Sequence, residues 1–382
     1  MTATGSTRPS VEHVDRRSLL FAPDAEAALQ RMPVERAAVN STSDARAAGL
    51  AVAPDPMAGI HAALEHHRGA HALRASWQLV NTLVPYLAVW IAMPFALAWS
   101  VWAFLPLALL AAGLLVRLFI LFHDCTHNSF FASRRANMWW GRVLGTISFT
   151  CFEVWRAEHT QHHATSGDLD RRGTGDIWTL TVDEYKQAAP FKRLCYRLSR
   201  QPLLLFGVAP VLMLVFWQHW PKKDARPNER RALAWQNALL IAFVIALSWW
   251  LGPWQYLVMQ GTVLALAGAA GVWLFYVQHQ FPGVYWGRGA NWDYDAAALK
   301  GSSYYKLPAL LRWFSANIGF HHVHHLDARI PNYNLARCQR EIEPLVQVPE
   351  LSLWGSRRAL NLALWDERAG ELVTFAQAAA RA

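Results

Sequence analysis

The chain has 382 residues, of which 53% are hydrophobic and only 16% are charged, with 20 Trp and 16 His. Soluble globular proteins carry about 25% charged residues, so this composition argues against a cytosolic enzyme, a disordered chain and a fibrous protein. Mean hydropathy is only +0.10, which predicts apolar spans joined to a substantial polar part.

The net charge of +9 is compatible with nucleic-acid binding or with a membrane protein whose cytoplasmic loops collect Lys and Arg. The second interpretation fits better because the cations flank apolar blocks, and we expect no nucleic-acid partner. The four cysteines are scattered without a Cys-x-x-Cys pair, so we expect reduced thiols and no disulfide framework.

Residues 1–70 are rich in Ala, Arg, Pro and Ser and carry charges from the start. No basic stretch leads into a short apolar core, so we expect no secretory signal. We predict a mobile tail with one short surface helix near residues 24–32, ended by Pro33.

Two blocks, residues 75–116 and 232–287, contain no Asp, Glu, Lys or Arg. One membrane crossing needs about 20 apolar residues, so each block predicts a hairpin of two spans. We place the spans at residues 77–98, 101–122, 232–252 and 256–279. The turns then fall near residues 98–100 and at Gly252-Pro253, a strong turn dipeptide.

Basic residues flank both blocks, whereas neither turn carries a charge. The positive-inside bias therefore predicts that both hairpins enter and leave on the cytoplasmic side of an inner or plasma membrane. The flanking cations are Arg68, Arg74, Arg134, Arg135, Arg226, Arg230, Arg231 and Arg288.

Residues 139–155 and 202–220 are apolar but ambiguous. The first stretch is short and contains Arg142 and Glu153, and the second has basic residues on both sides. We favour interfacial or re-entrant segments, with six spans as the alternative. The predicted fold is an all-α membrane protein with two hairpins capped by a cytoplasmic helical domain. Residues 71–345 form this membrane domain, and residues 346–382 form a C-terminal cytoplasmic segment.

Nine histidines lie in four groups whose spacing, at three or four residues, turns side chains to one face of a helix. They are His123 and His127 in HDCTH, His159, His162 and His163 in HTQHH, His279 alone in VQHQF, and His321, His324 and His325 in HHVHH. Imidazole suits Zn, Cu, Fe and Ni. A four-coordinate zinc site uses three or four protein ligands, so nine histidines indicate two metals.

One box of this kind is weak evidence, because surface histidine pairs are common. A non-enzymatic metal transporter is an alternative, but transporters usually hold polar ligands near the bilayer midplane. Here the histidines lie at predicted helix ends and in polar loops. We therefore favour a metal centre beneath the membrane.

Four stretches resemble the integral-membrane fatty acid desaturase family, and most closely its omega-type (omega-6/delta-12-like) acyl desaturases. They are HDCTHNSFF at 123–131, WRAEHTQHHATSGDLDRRGTGDIWTLTVDEY at 155–185, FYVQHQF at 275–281, and NIGFHHVHHLDARIPNYNL at 317–335. The resemblance covers roughly residues 77–331. It implies an O2-dependent oxidoreductase that inserts a cis double bond into a fatty acyl chain.

The resemblance also implies a diiron centre of two Fe ions whose ligands are the nine histidines above. His322 falls on a variable position of the last box and is left out. In the stearoyl-CoA branch an Asn four residues before the isolated histidine reaches iron through water, but Phe275 occupies that position here. Asn317, four residues before His321, is the nearest candidate of that type.

Carboxylates near the boxes are candidates to orient the metal-binding imidazoles. Asp124 and Glu158 adjoin box histidines, and Asp327 follows the last box. The alternative is that these carboxylates simply solvate a basic surface. Asp176 and Trp178, in the family-like GDIWTL run, could line the substrate entrance, although Trp178 also suits an interfacial anchor.

No side chain is an oxidant strong enough to remove two hydrogens from an alkyl chain, and the electrons must come from outside. We find no Rossmann fingerprint, flavin motif or haem-attachment Cys-x-x-Cys-His in the sequence, so we expect a separate donor of the ferredoxin or cytochrome b5 type. A basic face would attract such a donor, as well as anionic membrane lipid. Its cations are Arg134, Arg135, Arg171, Arg172, Lys192 and Arg193.

A diiron hydroxylase or ketolase with the same histidine boxes remains an alternative, because the same metal-derived oxidant can lead either to desaturation or to oxygenation of the substrate. The GDIWTL run and the NYNL after the last box favour the desaturase. The expected substrate is a fatty acyl chain that is lipid-, CoA- or carrier-linked, and the sequence leaves this choice open.

Overall fold

The computed structural model describes residues 57–223, 225–343 and 347–381. The helix predicted near residues 24–32 lies outside them. In chain order the α-helices are α1 (Ala58–Glu65), α2 (Ala72–Trp99), α3 (Val101–Thr126), α4 (Arg134–Ile147), α5 (Phe152–Thr165), α6 (Val182–Gln187), α7 (Pro190–Ser199), α8 (Ala209–Val215), α9 (Pro227–Leu251), α10 (Pro253–His279), α11 (Tyr294–Lys300), α12 (Ala309–Phe314), α13 (His321–Leu326), α14 (Asn332–Ile342) and α15 (Phe375–Ala380). A π-helix spans Leu203–Val208, and 3₁₀ helices span Trp217–His219, Gly289–Asn291 and Gly355–Asn361.

Within the described residues, four helices are long and apolar enough to cross a membrane, namely α2, α3, α9 and α10. They form the two predicted hairpins. The first turn is at Ser100, whose hydroxyl oxygen accepts a hydrogen bond from the backbone N–H of Trp102 at 3.0 Å and caps α3. The second turn is at Gly252, where a φ of +88° favours glycine. The four predicted spans and both turns are therefore confirmed as helices and breaks.

The two ambiguous stretches form broken helices. Residues 139–155 are divided, because α4 ends at Ile147 and α5 begins at Phe152. Helix α7 and the helical run of residues 203–219 are bent by 66° at the break between them, which suits a broken span or a re-entrant loop. Exposed Phe191 and Leu194 lie on α7 beside its cations, a pattern typical of a helix at the membrane interface.

A helix lies within the segment that we predicted to be a mobile tail. Helix α1 buries Ile60 and Leu64 in a small core that also contains Val323 of α13 and Leu335 of α14. The prediction of a mobile tail over residues 1–70 is therefore wrong for residues 58–65, and its residues 1–56 lie outside the described part of the chain. The composition of residues 1–70 did not indicate this helix, because its apolar residues gain their stability only from contacts with distant helices.

Short strands add to the helical fold beyond what the sequence analysis predicted. They are β1 (Leu180–Thr181), β2 (Tyr304–Lys306), β3 (Glu350–Ser352), β4 (Leu364–Asp366) and β5 (Glu371–Val373). β1 pairs in parallel with β4, β4 pairs antiparallel with β5, and β2 pairs in parallel with β3. The C-terminal segment is thus tied to the loop that follows the second histidine box.

Candidate metal centre

The nine predicted histidines form two neighbouring groups. The first histidine group is His123, His127, His159, His163 and His324. The second histidine group is His162, His279, His321 and His325. Within each group the donor atoms lie within 4.8 Å of one another, and all nine side chains are buried. Each group therefore directs several imidazole nitrogens into one small volume shielded from water.

Four helices bring these side chains together. The last turn of α3 carries His123 and is capped by His127, while α10 ends at His279. These two helices belong to different hairpins, so the hairpins deliver their histidines to the same end of the bundle. Helices α5 and α13 supply the remaining histidines from outside the spans.

Helices α5 and α13 each divide their histidines between the two groups. Side chains four residues apart share a helix face, which explains why His159 and His163 lie together and why His321 and His325 lie together. Their neighbours His162 and His324 turn to the opposite group. At the boundary the rings of His163 and His325 stack with centroids 4.3 Å apart. The groups therefore adjoin and share two helices.

The Nε2 atoms within each group face one another at short distances. In the first group they are 2.9 Å apart for His123 and His159, and 3.0 Å apart for His163 and His324. In the second group the Nε2 atoms of His279 and His321 are 2.9 Å apart. A central cation would satisfy every one of these nitrogen lone pairs at once, so the donor set fits a nitrogen-binding metal.

Burial favours the neutral form of the box histidines on α5 and α13 whose pKa values are shifted, namely His159, His163, His321, His324 and His325. It lowers the pKa of His159, His163 and His324 well below the ordinary value of 6.5, and neighbouring imidazoles lower it further. Burial has the same effect on the pKa of His321 and His325. Because only the unprotonated nitrogen binds a metal, burial favours the form of these five side chains that a metal requires.

Three ring nitrogens on the outer side of the groups donate hydrogen bonds. Nδ1 of His162 donates to Oδ1 of Asp176 at 2.8 Å, Nδ1 of His123 donates to Oδ1 of Asp124 at 3.3 Å, and Nδ1 of His279 donates to the Gly301 carbonyl at 3.2 Å. A proton held at Nδ1 leaves Nε2 free to bind a metal. These partners orient three of the imidazoles.

Asp124 lies where it was predicted and makes a further contact that the sequence did not indicate. Its Oδ2 accepts from the backbone N–H of Asn332 at 2.7 Å and from the Asn332 side-chain amide at 2.8 Å. Asp176, which we predicted at the substrate entrance, also contacts a box histidine fourteen residues earlier in the chain. No local spacing signals that contact, since the intervening loop is irregular.

Three other candidates point away from the histidines. Glu158 pairs with Lys222 at 2.7 Å, Asp327 pairs with Arg68 and Arg329, and the Asn317 amide donates to the Asn332 carbonyl at 3.0 Å. Among the contacts of the described residues, none of these three side chains bonds to a box histidine. Adjacency in sequence did not predict their direction, because successive helical residues point about 100° apart.

His322 and Phe275 behave as the sequence suggested. His322 lies outside both groups, with Nε2 2.5 Å from Oε1 of Gln339. Phe275 places its ring 5.3 Å from that of His162 and 5.0 Å from that of His279. An apolar ring therefore borders the second histidine group where the stearoyl-CoA branch has an amide.

A pocket opens beside the second histidine group. It is lined by Ser166, Gly167, Asp176, Ile177, Phe275, His279, Gln280, Val284, Tyr285, Trp286 and Gly301. The lining is largely apolar and aromatic and includes His279. The indole Nε1 of Trp286 is buried and has no hydrogen-bond partner among the described residues. Trp178 is outside this lining and 42% exposed, which fits an interfacial anchor.

Comparison with known proteins agrees with this arrangement. Residues 100–356 match the family model for fatty acid desaturases. A fatty acid desaturase of Bacillus subtilis is 43% identical over 298 residues, covering 78% of this chain and 85% of that protein. An sn-1 acyl-lipid omega-3 desaturase (ferredoxin) of Synechocystis is 29% identical over 257 residues, covering 64% of this chain and 69% of that protein.

A chloroplastic omega-6 fatty acid desaturase of Brassica napus is more distantly similar, at 26% identity over 298 residues, with 72% of this chain and 59% of that protein covered. The resemblance inferred from the histidine boxes is thus confirmed. The family match spans well over half of the sequence, and this chain belongs to the fatty acid desaturase family, whose members are oxidoreductases acting on fatty acids.

Proposed function

We propose that the protein is an O2-dependent membrane fatty acyl desaturase that binds one iron in each histidine group and forms a cis double bond. The observation that carries this proposal is the pair of adjoining, buried, all-histidine groups. One group alone would suit many metalloproteins, but two that share α5 and α13 suit a cooperating pair of metals. The nine histidines would be the ligands.

Two bound irons would supply the O2 activation and electron transfer that side chains cannot provide. The chain's own residues hold and orient that centre. Asp124 and Asp176 accept the outer protons of His123 and His162, which fixes those rings with Nε2 inward. Phe275 and the buried helix ends exclude water, so that the oxidant acts on the substrate rather than on solvent.

The acyl chain would enter the pocket beside the second histidine group. Phe275, Ile177 and Val284 give the pocket an apolar lining. His279, which is one of the proposed iron ligands, lines the same pocket. A flexible hydrocarbon chain needs such a surface to be held in one conformation. The chain would therefore meet the metal centre from the side that Phe275 borders.

The orientation and the electron donor also belong to this proposal. We place the histidine end of the bundle in the cytoplasm, on the charge pattern that flanks the hairpins. The donor would be of the ferredoxin or cytochrome b5 type, and the name of the Synechocystis relative mentions ferredoxin. Arg171 and Arg172 pair with Asp168 and Glu184, so docking would rest mainly on the cations of α4 and α7.

Expression in a host that lacks polyunsaturated lipids tests the activity. New dienoic fatty acids that are absent from a His163→Ala control would support the proposal. Hydroxylated or keto products would assign the chain to the hydroxylase or ketolase alternative, and an unchanged fatty acid profile in that host would contradict desaturation. The purified protein should contain about two irons, one for each histidine group, and a single zinc instead would contradict the diiron centre.

A further inference from the structure

Arg117 is buried within α3, a helix of the first hairpin, at 3% exposure. Its Nε donates to the hydroxyl oxygen of Thr82 on α2 at 3.0 Å, and its Nη1 donates to the backbone carbonyl of Trp313 on α12. The guanidinium carbon also lies 4.2 Å from the centroid of the Trp313 ring. One cation thus joins three segments of the chain.

The partners of Arg117 are all neutral. Among the contacts of the described residues, no carboxylate pairs with its guanidinium. A buried charge at membrane depth is costly, and such residues usually serve a function. Bundle stability alone would favour an apolar residue of similar size, so the position of Arg117 needs another explanation.

Arg117 connects the segments that precede two of the histidine boxes. It precedes His123 by six residues on α3, which is about 9 Å along the helix axis. Its partner Trp313 precedes His321 by eight residues. The ring of Phe314, next to Trp313, would lie 2.9 Å from a Cβ at position 113, and Gly113 permits this contact by having none. Helix α12 is therefore held against α3 directly before the HHVHH box at residues 321–325, which is the third box if His279 is counted as an isolated histidine.

The segment from Trp313 to the third box is compact and can transmit this placement. The Trp313 carbonyl also accepts from the backbone N–H of Ala316 at 3.1 Å, and the Asn317 carbonyl accepts from the N–H of Phe320 at 3.0 Å. Ala316 and Asn317 have φ values of +43° and +64°, which are unusual for residues other than glycine. Such a conformation persists only where the surroundings impose it.

A separate contact holds α13 near α10. Nε2 of Gln278 donates to the carbonyl of Ile318 at 2.9 Å, and Gln278 directly precedes His279. The third box is therefore anchored twice: through Arg117 to the helix of His123, and through Gln278 to the helix of His279. The contact through Arg117 holds the box near His123, which belongs to the first histidine group. The contact through Gln278 holds the box near His279, which belongs to the second histidine group.

We propose that Arg117 is a positioning residue that sets the distance between α3 and the third box and so assembles the first histidine group. The inference rests on the proposed two-metal centre, and it explains how the histidines of the first group are brought together. Without the contact to Trp313, His324 would be less tightly held beside His123, whose ring centroid is now 4.4 Å from that of His324. The second group would keep its Gln278 anchor.

The test compares Arg117→Met with Tyr256→Phe, which removes a buried hydroxyl near the opposite end of the bundle. Metal-free full-length protein in detergent is titrated with Co²⁺, followed by the visible absorption of nitrogen-bound cobalt. For Arg117→Met we expect one of two binding steps to weaken about 10- to 100-fold, as for other residues that orient ligands. The other step and all steps of Tyr256→Phe should match the wild type.

Two readouts separate positioning from a general structural role. Thermal unfolding of metal-free Arg117→Met should be unchanged or improved, because a buried charge is removed, while hydrogen exchange over residues 309–326 should become faster. Arg117→Lys keeps the charge but loses the planar fork. Its exchange rate over residues 309–326 and its cobalt affinity should lie between those of the wild type and of Arg117→Met. Unchanged exchange and cobalt binding in Arg117→Met, or equal weakening of both steps with loss of unfolding temperature, would overturn the inference.

Failure of the proposed metal centre would be recognised separately. If the wild-type protein bound no Co²⁺, the two-metal proposal would be wrong. The exchange measurement on residues 309–326 would still decide whether Arg117 holds the third box.

Discussion

The Nδ1 atom of His162 and the Oδ1 atom of Asp176 are 2.8 Å apart, and Asp176 is only 7% exposed. This hydrogen bond brings the loop after the second histidine box back to the metal centre. A second Asp176 oxygen accepts from the backbone N–H of Gly173 at 3.1 Å, so the carboxylate is held from two sides. The pair therefore sets the tautomer of one proposed ligand.

Asp176→Asn should weaken iron binding in the second histidine group. The substitution removes the charge that favours a proton on His162 Nδ1, and loss of such a partner typically costs 10- to 100-fold in metal affinity or activity. Iron content after dialysis and the desaturation rate measure the effect. Glu158→Gln is the matched control, because Glu158 pairs with Lys222. Equal iron retention in both variants would argue against a role for Asp176.

His163→Ala and His322→Ala should have opposite signatures, although both residues are buried box histidines. His163 belongs to the first histidine group, so its loss should remove iron and abolish desaturation. His322 contacts Gln339 instead, so its loss should lower the unfolding temperature, at a cost of about 1–3 kcal/mol for the unsatisfied partner, and leave iron per folded chain unchanged. Iron loss in His322→Ala would contradict this assignment.

The metal-free protein should lose stability as the pH falls below about 6.5. In the unfolded chain histidines accept protons near that pH, whereas burial lowers the pKa of His159, His163 and His324 in the folded chain. The unfolded state then binds more protons, so acid favours unfolding. Unfolding temperature measured from pH 8 to pH 5 should decline below pH 6.5, with a smaller decline for a His159→Gln, His163→Gln variant. A flat profile would show that these histidines are protonated when folded.

Trp286→Phe should affect substrate binding more than metal binding. The indole Nε1 is buried beside the pocket without a partner among the described residues, so it is free to donate to a polar atom of a bound acyl ester. We expect KM to rise several-fold, in line with about 1 kcal/mol for one hydrogen bond, with iron content unchanged. A change in iron content without a change in KM would place Trp286 among the residues that support the metal centre.

Cysteine labelling tests the membrane orientation. In a background in which the four native cysteines are replaced, Ser100→Cys at the first hairpin turn should react with an impermeant maleimide added outside intact cells. Lys223→Cys, in the basic loop before α9, should react only after the membrane is permeabilised. The reverse pattern would place the histidine groups on the outer side and remove the basis for a cytoplasmic donor.

The two hairpins and the set of candidate ligands could be predicted from local sequence patterns. Long charge-free blocks identify spans because the bilayer rejects charge whatever the packing, and a Gly-Pro turn marks one break through local backbone preference. The histidine spacing likewise reports a local property, the face of a helix. These signals located all nine histidines of the two groups, and also the first candidate that orients them, Asp124.

The grouping of the histidines depends on tertiary packing. His162 and His163 are neighbours in sequence yet belong to different groups, because successive helical side chains point about 100° apart and different histidines lie on the two sides of α5. The contacts of Asp176 with His162, of Arg117 with Trp313 and of α1 with α14 join residues far apart in the chain. Such contacts depend on how helices pack, and no local periodicity encodes them.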